Sequence, residues 1–264
     1  MTHIRNQGMA MIVKTDAIIL RSMKYGETSK ILTLYTRDFG RMGVIVKGAR
    51  SAKSKFGAAL DIMSHSSVVM YKKEQRDLQL LTQADLIRQY RGIIDHADRL
   101  MYGFVLLDYI SATVHGEEAH AELYTVLEQA LSTLDSSDTT PAVVLLQYLL
   151  RLIHALGLGL DVRHCVHCRA DLSHVDLQNQ VTFSDSQGGF FCGSCRPCTD
   201  SNHVRRETLE ALRALDGQPP MHRTTLQITT HSAKEGLQLL QGHCAFHMPE
   251  MRQVKSLHLL DLFS

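Results

Sequence analysis

The sequence predicts a multidomain α+β protein: a five-stranded β-barrel, then a helical domain with an inserted four-cysteine metal module. Three observations support this. Apolar and polar residues alternate in short segments up to residue 88, a helical period begins at residue 89, and two Cys-x2-Cys pairs follow. A chain of 264 residues can hold two or three packed units. We place the boundaries at 12–88 for the barrel, 89–160 and 201–264 for the helical domain, and 161–200 for the metal module.

The barrel prediction depends on five short strands without long helices between them. A turn at Tyr25–Glu27 joins the first two strands, and a turn at Asp38–Arg41 leads into the third. Small five-stranded barrels that bind nucleic acid are most often OB-folds, so we expect an OB-fold nucleic-acid-binding domain at residues 12–88. The predicted strands are Thr15–Arg21, Lys30–Thr36, Met42–Val46, Ser66–Tyr71 and Leu78–Thr82.

The formal net charge of +1 hides an uneven distribution. Residues 1–88 hold 15 Lys/Arg and 7 Asp/Glu, a net of +8, whereas residues 89–264 hold 13 and 20, a net of −7. Positive potential concentrated in one domain raises the local concentration of phosphate groups, so this asymmetry favours a polyanion ligand held by the first domain. The alternative interpretation is that both faces are merely solvated.

The segment from Arg41 to Lys55 is the candidate phosphate-binding edge. It contains five cations and no acidic residue, and its glycines let the backbone approach a ligand closely. If all five cations contacted single-stranded DNA, log affinity would fall against log salt with a slope of about −3.5. The cations are Arg41, Lys47, Arg50, Lys53 and Lys55, and the aromatic candidates for base stacking are Tyr25, Tyr35, Phe39, Phe56 and Tyr71, of which we expect at least half to be core.

From residue 89 apolar residues recur at helical spacing. Helices are predicted around Leu100–Ile110 and Leu123–Leu134, and a third begins at Thr140-Pro141 and ends before Gly157. This third helix is nearly all apolar, which places it at the centre of a bundle. After the metal module, helical segments are expected at Arg205–Leu215, Ser232–Leu240 and Pro249–Leu262.

Two Cys-x2-Cys pairs at metal-ligand spacing predict a zinc site. Four thiolates complete a tetrahedral shell around Zn²⁺ and leave no position for water or substrate, so the ion would be structural. Cys198, His164 and His167 are alternative ligands, and we interpret Cys244 as a small buried side chain. The four predicted ligands are Cys165, Cys168, Cys192 and Cys195.

We find no motif of a known catalytic site and therefore expect no enzyme activity. The pairs Asp95/Asp98 and Glu117/Glu118 could hold a metal in a nuclease, although solvated helix ends explain them as well. Residues 1–11 lack the apolar stretch of a signal peptide, and polar residues interrupt the apolar run Val143–Leu160. These features favour a cytoplasmic protein without a membrane span.

Three segments of the first domain, together with the cysteine pairs, resemble the bacterial RecO recombination mediator family. The segments are Val13–Arg21, Tyr25–Leu32 and Gly48–Phe56. The resemblance follows essentially the whole chain in order, with fairly specific motifs in the first domain and a generic helical tail. The family pattern does not require Cys198, and some members lack the zinc cysteines.

The resemblance implies a non-enzymatic DNA repair protein of the nucleoid that binds single- and double-stranded DNA and anneals complementary strands. It also implies assistance to RecA on strands coated by single-stranded-DNA-binding protein, with RecR and that protein as partners and a functional link to RecF. It assigns DNA contact to Lys47, Arg50, Lys53 and Lys55, while Arg41 is added from charge alone. The competing hypotheses are an RNA-binding assembly factor and a metal-dependent nuclease or its accessory.

Overall fold

A computed structural model describes residues 10–74, 76–136, 140–173, 180–195, 201–216 and 228–258. The chain divides into two compact units, and neither is one continuous stretch of sequence. The first unit is Met1–Arg91 with Val114–Tyr124, and the second is Gly92–Thr113 with Thr125–Ser264. Among the described residues no helix combines the length and the apolar character needed to cross a membrane.

The first unit is built on a closed barrel with the strand order β1-β2-β3-β5-β4. All neighbouring pairs are antiparallel except β3 and β5, which run parallel. The five predicted strands are confirmed, although β1 and β5 extend well beyond the predicted segments. The strands are β1 (Met11–Tyr25), β2 (Ser29–Thr36), β3 (Gly40–Val46), β4 (His65–Lys72) and β5 (Gln79–Arg88).

Alternation along the strands fills the barrel with aliphatic side chains. Leu32 and Leu34 of β2 and Val44 of β3 are fully buried, because every second residue of a strand faces the same side. A 3₁₀ turn at Gly57–Leu60 adds Ala59 and Leu60 to the same core, together with the preceding Phe56. The loop that holds most of the predicted cations therefore starts at β3 and ends anchored in the core.

The segment Val114–Tyr124 covers part of the outer barrel surface. Tyr35 of β2 is fully buried, and its hydroxyl donates a hydrogen bond to the His120 carbonyl over 3.1 Å. The Tyr124 ring lies 5.6 Å from the Tyr35 ring, and its hydroxyl lies 3.1 Å from His65 Nε2. Lys72 and Glu117 form an ion pair at 2.8 Å. The segment is thus packed on the barrel through both aromatic and polar contacts.

The second unit contains most of the helical structure, and α4 lies at its centre. The helix begins with Pro141 at its first turn, and ten of its fifteen residues are buried. It packs against α2, α5 and α6. Gly157, which follows the helix, has a φ of 66°, a left-handed conformation that ends helices. The helices are α1 (Arg91–Ile94), α2 (Ala97–Thr113), α3 (Ala121–Asp135), α4 (Pro141–Ala155), α5 (Arg206–Asp216) and α6 (Thr230–His247).

The end of the chain differs from the helical segment expected at Pro249–Leu262. It forms a short 3₁₀ helix at Pro249–Gln253, which buries Met251, and a further 3₁₀ turn at residues 255–258. Val254, between the two, is also buried. Leu260 and Leu262 lie outside the described residues. Apolar spacing alone does not distinguish a 3₁₀ segment from an α-helix when a proline starts it.

A three-stranded antiparallel sheet in the second unit supports the cysteine pairs. Its strand order is β7-β6-β8, with β6 at Gln180–Ser184, β7 at Gly189–Phe191 and β8 at Asn202–Arg205. Phe183 and Phe190, which pair across β6 and β7, are fully buried with ring centroids 5.0 Å apart. The strand β7 leads directly into Cys192, and β8 continues the sheet beyond residue 200.

Candidate nucleic-acid interface and metal centre

An open groove of about 490 Å³ lies on the first unit between the loop after β3 and the strand β5. Three of the five predicted cations line it, and no acidic residue of the described part of the chain does. The Ser54 hydroxyl accepts from Phe56 N–H and keeps its own hydrogen for a phosphate oxygen, whereas the hydroxyls of Ser51 and Thr82 donate to backbone carbonyls. The lining residues are Lys47, Gly48, Ser51, Lys53, Ser54, Lys55, Phe56, Leu80, Leu81 and Thr82.

The three groove lysines are all exposed, as a charge that is to meet phosphate must be. Lys47 directly follows β3, where the strand leaves the barrel, and Gly48 after it has a φ of 69°. This left-handed conformation favours glycine and turns the chain into the loop. Lys55 lies over the Phe56 ring, with 5.7 Å between Nζ and the ring centroid. Because Phe56 is buried in the barrel core, it fixes the position of Lys55 relative to the groove.

Arg50 connects the groove loop to the turn between β1 and β2. Its backbone N–H donates to the Thr28 carbonyl over 2.8 Å, and its guanidinium Nη1 donates to the Gly26 carbonyl over 3.1 Å. The side chain is therefore partly engaged within the protein, while its other N–H groups point to an exposed surface. Arg50 does not line the groove itself but holds the loop that forms it.

Arg41 lies at the opposite end of β3 from Lys47. Its side chain is half-buried, and its backbone N–H donates to the Gly116 carbonyl over 3.0 Å. Burial lowers the pKa of its guanidinium, and the nearby positive charge of Arg21 lowers it further. The structure therefore separates Arg41 from the three groove lysines, with which the sequence had grouped it.

The five aromatic candidates for base stacking fall into two groups. Tyr25 and Tyr71 are 53% and 41% exposed, so their rings are available to a ligand. Tyr35 and Phe56 are buried and so belong to the core half that we expected among these five residues. Phe39 packs against the barrel core and lies beneath Lys72. Strand alternation puts Tyr35 on the side of β2 opposite to the core residue Leu34, and the segment Val114–Tyr124 covers that side.

The groove also uses residues that sequence reasoning did not single out. Ser51 and Ser54 belong to the loop itself, and Leu80 and Thr82 belong to β5. The pairing of Ile45 with Leu80 in the parallel β3–β5 ladder brings β5 beside the loop. No local pattern shows this pairing, because the two strands are more than thirty residues apart in sequence. Only the abundance of small hydroxyl residues between Lys47 and Phe56 pointed to these loop positions.

The second unit brings the four predicted cysteine ligands together. The sulfur atoms of Cys165, Cys168, Cys192 and Cys195 all lie within 4.8 Å of one another, and the Cys168 and Cys192 sulfurs are 3.7 Å apart. Zn–S bonds of about 2.3 Å at tetrahedral angles place sulfurs about 3.8 Å apart. The four side chains can therefore hold a metal ion, and their chemistry and spacing fit Zn²⁺.

Two short turns present these sulfurs, and the three-stranded sheet fixes one turn against the other. In the first turn, Arg169 has a φ of 62° and its N–H donates to the Cys165 carbonyl over 2.9 Å. Val166 N–H donates to the Phe190 carbonyl of β7 over 2.9 Å. A Cβ on Gly189 of β7 would approach the Asp161 carbonyl oxygen and Val166 Cγ1 to 2.6 Å each, so the packing of the first turn against β7 requires glycine at this position.

The four sulfurs influence one another's protonation, so all four become thiolates only when a cation neutralises their charge. Burial by itself raises the pKa of the Cys165 thiol. Hydrogen bonds from backbone N–H groups, of which that of Cys168 is the largest, outweigh burial and bring the pKa down to about 6. Hydrogen bonding to the Cys192 sulfur raises the pKa of Cys195 to about 12. Four thiols so close together cannot all ionise unless positive charge neutralises them, and Zn²⁺ supplies that charge when it binds.

The alternative ligands are not part of this cluster in the described residues. His164 Nδ1 instead lies 3.4 Å from an Asp161 carboxylate oxygen, and Cys244 is buried in α6. Cys198 lies outside the described residues. Within the part of the chain that the structure describes, no other group of three or more His, Cys, Asp or Glu side chains could hold a metal ion.

Comparisons with known proteins agree over most of the chain. The family model described as "Recombination protein O N terminal" matches residues 9–90, and the one described as "Recombination protein O C terminal" matches residues 95–258. The "DNA repair protein RecO" of Chlorobaculum parvum is 31% identical over 95% of this chain and 98% of that protein. The protein of the same name from Rhodopirellula baltica is 30% identical over 83% of this chain and 80% of that protein.

Proposed function

Because this chain belongs to the RecO family of DNA repair proteins, we propose that its first unit is an OB-fold that holds the DNA backbone without reading base sequence. The strand order β1-β2-β3-β5-β4 of the closed barrel supports this assignment. The single observation that carries the proposal is the groove, with three exposed lysines and no acidic lining residue. Contacts of this kind position nucleic acid through its phosphates, which all sequences share.

The proposed activity is the annealing of complementary strands, and it requires no catalytic residue. Two single strands repel each other through their phosphates, and lysines that neutralise phosphate lower this repulsion. Contacts with the DNA backbone alone leave the base edges accessible to a second strand. The first unit would thus bring strands together by electrostatics, and the same contacts would hold single- and double-stranded DNA.

We further propose that the second unit supports recombination by docking protein partners. The second unit, Gly92–Thr113 with Thr125–Ser264, holds 12 Lys/Arg and 17 Asp/Glu, a net of −5, which makes it a poor surface for DNA and leaves it available to proteins. The expected partners are RecR and single-stranded-DNA-binding protein, and the expected result is assistance to RecA on coated strands, in functional connection with RecF. Zn²⁺ held by the four cysteines would fix the turns of the module and would take no part in a reaction.

A strand-annealing assay tests the proposal directly. Purified protein is mixed with complementary fluorescently labelled oligonucleotides, with and without single-stranded-DNA-binding protein, and duplex formation is followed over time. Acceleration in both conditions supports the proposed function. Protein that binds neither single-stranded nor double-stranded DNA overturns it. Competition between single-stranded DNA and RNA of the same sequence separates the proposal from an RNA-binding factor, and incubation with Mg²⁺ or Mn²⁺ separates it from a nuclease.

A further inference from the structure

The four cysteines of the metal centre differ in how far they are exposed. Cys165 and Cys192 are buried, at 0% and 5%, and Cys195 is half-buried, whereas Cys168 is exposed. A cysteine held entirely inside a protein is chemically inert, while an exposed thiolate reacts with small oxidants. The cluster therefore presents one of its ligands to the solvent, and Cys168 is the point at which a reagent can reach it.

Cys168 carries a sulfur that stays reactive while it serves as a ligand. A metal ion binds the thiolate rather than the thiol, and the thiolate is the form that attacks an oxidant. Four sulfur ligands complete the shell around the ion, so an oxidant reacts with sulfur and not with the metal. The coordination that gives the module its structure thus keeps Cys168 in the form that an oxidant consumes.

A second sulfur lies within reach of Cys168. The Cys192 sulfur, on the other turn, is 3.7 Å away, so rotation of the two side chains can bring the sulfurs into covalent contact. Cys192 directly follows β7, and the three-stranded sheet holds its backbone in place. The Cys165 sulfur is instead engaged within the protein, because it accepts the Cys192 backbone N–H over 3.3 Å. Cys192 is therefore the cysteine placed to form a disulfide with an oxidised Cys168.

We propose that the cluster is a redox-sensitive site, in which a peroxide oxidises Cys168 and Cys192 then forms a disulfide with it, so that the cluster loses its metal. In the first step the Cys168 thiolate attacks one peroxide oxygen. The O–O bond breaks, a sulfenic acid forms, and the leaving hydroxide takes up a proton as water. In the second step the Cys192 thiolate attacks the oxidised sulfur, the S–O bond breaks, and the second hydroxide also leaves as water. The two sulfurs give up two electrons, which the peroxide accepts.

A disulfide between these two residues removes two of the four ligands. Cys165 and Cys195 alone cannot complete the tetrahedral shell that Zn²⁺ requires, so the affinity of the site for the ion falls. The disulfide joins the same two turns that the four sulfurs joined through the metal. Oxidation therefore exchanges one link between the turns for another, and the module changes locally.

Contacts that do not involve the metal keep the module on the helices of the second unit. His247 Nε2 of α6 lies 3.1 Å from the Asp185 carbonyl oxygen, in the turn between β6 and β7. Arg163, just before the first turn, forms an ion pair with Asp216 of α5 at 3.2 Å. Reduction of the disulfide therefore returns the four sulfurs to positions from which they can bind the ion again, and the change is reversible.

The effect of oxidation is confined to the second unit. All six cysteines of the chain lie at or after residue 165, and the first unit, Met1–Arg91 with Val114–Tyr124, contains none. The lysine groove thus has no thiol that a peroxide can oxidise. Oxidation alters the unit that we propose docks proteins and leaves the proposed DNA site chemically intact.

Zinc release and disulfide mapping test the inference on the zinc-loaded protein. The double variant Cys198→Ser/Cys244→Ala retains only the four cluster cysteines, so every oxidised thiol belongs to the cluster. Hydrogen peroxide should release about one equivalent of zinc, measured with a chromogenic chelator, while the helical circular dichroism is retained. Tandem mass spectrometry of unreduced tryptic peptides should locate the disulfide at Cys168 and Cys192. Dithiothreitol with added zinc should restore the metal content.

Alkylation provides a measurement that does not depend on disulfide formation. Substoichiometric iodoacetamide should label Cys168 of the zinc-loaded protein before the buried Cys165 and Cys192, because exposure determines which ligand a reagent reaches. Metal-free protein unfolded in urea is the control, in which these cysteines should label at similar rates.

Three results would overturn the inference. The first is metal and thiols that stay intact in peroxide that fully oxidises free glutathione. The second is zinc release with a disulfide at a different pair of cysteines, and the third is loss of zinc together with the helical signal. None of these measurements uses DNA, so failure of the proposed function in the annealing assay leaves them unchanged.

Discussion

The Arg50 guanidinium donates a hydrogen bond to the Gly26 carbonyl over 3.1 Å, which fixes the groove loop to the turn between β1 and β2. The sequence predicted Arg50 as a phosphate ligand. The structure shows that Arg50 also holds the groove loop in place through this hydrogen bond. A single residue can serve in both ways, because a guanidinium has five N–H donors and this contact uses one. The two contributions can be separated by substitutions that keep or remove the positive charge.

For Arg50 we expect the geometry of the side chain to matter as well as its charge. Arg50→Lys keeps the charge but loses the hydrogen bond to Gly26, an exposed contact worth about 0.5–1.5 kcal/mol. Amide hydrogen exchange in residues 47–56 should become faster in Arg50→Lys and in Arg50→Met alike. Strand affinity should fall moderately in the first and further in the second. Equal exchange in the variant and the unaltered protein would show that the loop does not need this contact.

The groove lysines should determine the salt dependence of strand binding. Replacement of Lys47, Lys53 and Lys55 by glutamine removes three phosphate contacts, so the slope of log affinity against log salt should become shallower by about 2.1. Anisotropy titrations at four or more salt concentrations measure this slope. The double variant Lys234→Gln/Lys255→Gln removes exposed charges from the second unit and should leave the slope unchanged. A triple variant with the original slope would mean that the groove is not the phosphate site.

Removal of one sulfur from the cysteine cluster should release the metal and destabilise its module. Structural Zn²⁺ contributes about 10–16 kcal/mol in isolated finger peptides, which is comparable to the stability of a whole domain. Cys165→Ser should therefore lose about one equivalent of zinc by elemental analysis and unfold at a lower temperature. Cys244→Ala, which alters a buried cysteine outside the cluster, should keep its zinc. Full metal content in Cys165→Ser would contradict the assigned ligands.

The burial of Tyr35 predicts an effect on stability without an effect on binding. Tyr35→Phe removes the hydroxyl that donates to the His120 carbonyl, so the free energy of unfolding should fall by about 1 kcal/mol. Urea denaturation measures this change. Affinity for oligo(dT) should stay the same, since the ring is covered by the segment Val114–Tyr124. A marked loss of affinity with unchanged stability would show instead that Tyr35 reaches the ligand.

His243 should make the second unit less stable in mild acid. Burial, together with the nearby His247, lowers the pKa of His243 from 6.5 to about 4, although hydrogen bonds to the Leu158 and Asp185 backbone act in the opposite direction. An unfolded chain then binds the proton more readily than the folded one. The stability that neutral His243 gives the folded protein is therefore fully present above about pH 6.5. It declines as the pH falls towards 4, by up to about 3 kcal/mol.

Urea unfolding at pH 7 and pH 5 tests this sign. The unaltered protein should lose more stability between these values than His243→Phe, whose ring can pack beside Phe183 in the same way. Comparison of the two proteins is needed because burial raises the pKa of neighbouring Asp185, which acts in the opposite direction. Equal losses in both proteins would show that His243 titrates normally.

Local patterns in the sequence were enough to predict much of the fold. The alternation in Lys30–Thr36 and the apolar run after Pro141 report on the side chains of single elements, which physical periodicity links directly to burial. The cysteine pairs were equally informative, because tetrahedral thiolate coordination restricts their spacing. These features could be read without knowledge of which distant segments meet.

The remaining features depend on contacts between segments far apart in sequence. Tyr35 lies on the side of β2 opposite to Leu34, and only the packing of the distant segment Val114–Tyr124 explains why it is buried. The groove requires Leu80 to lie beside Ile45, a parallel pairing that no local pattern specifies.

The participation of Val114–Tyr124 in the first unit determines how this protein can be divided. A fragment that stops at Arg91 would expose the Tyr35 ring to water. It would also lose Tyr124, whose hydroxyl is hydrogen-bonded to His65. Such a truncation should aggregate or express poorly even though it contains every strand. A soluble barrel fragment would need residues 114–124 grafted onto its end through a short linker, and limited proteolysis should spare this segment in the intact chain.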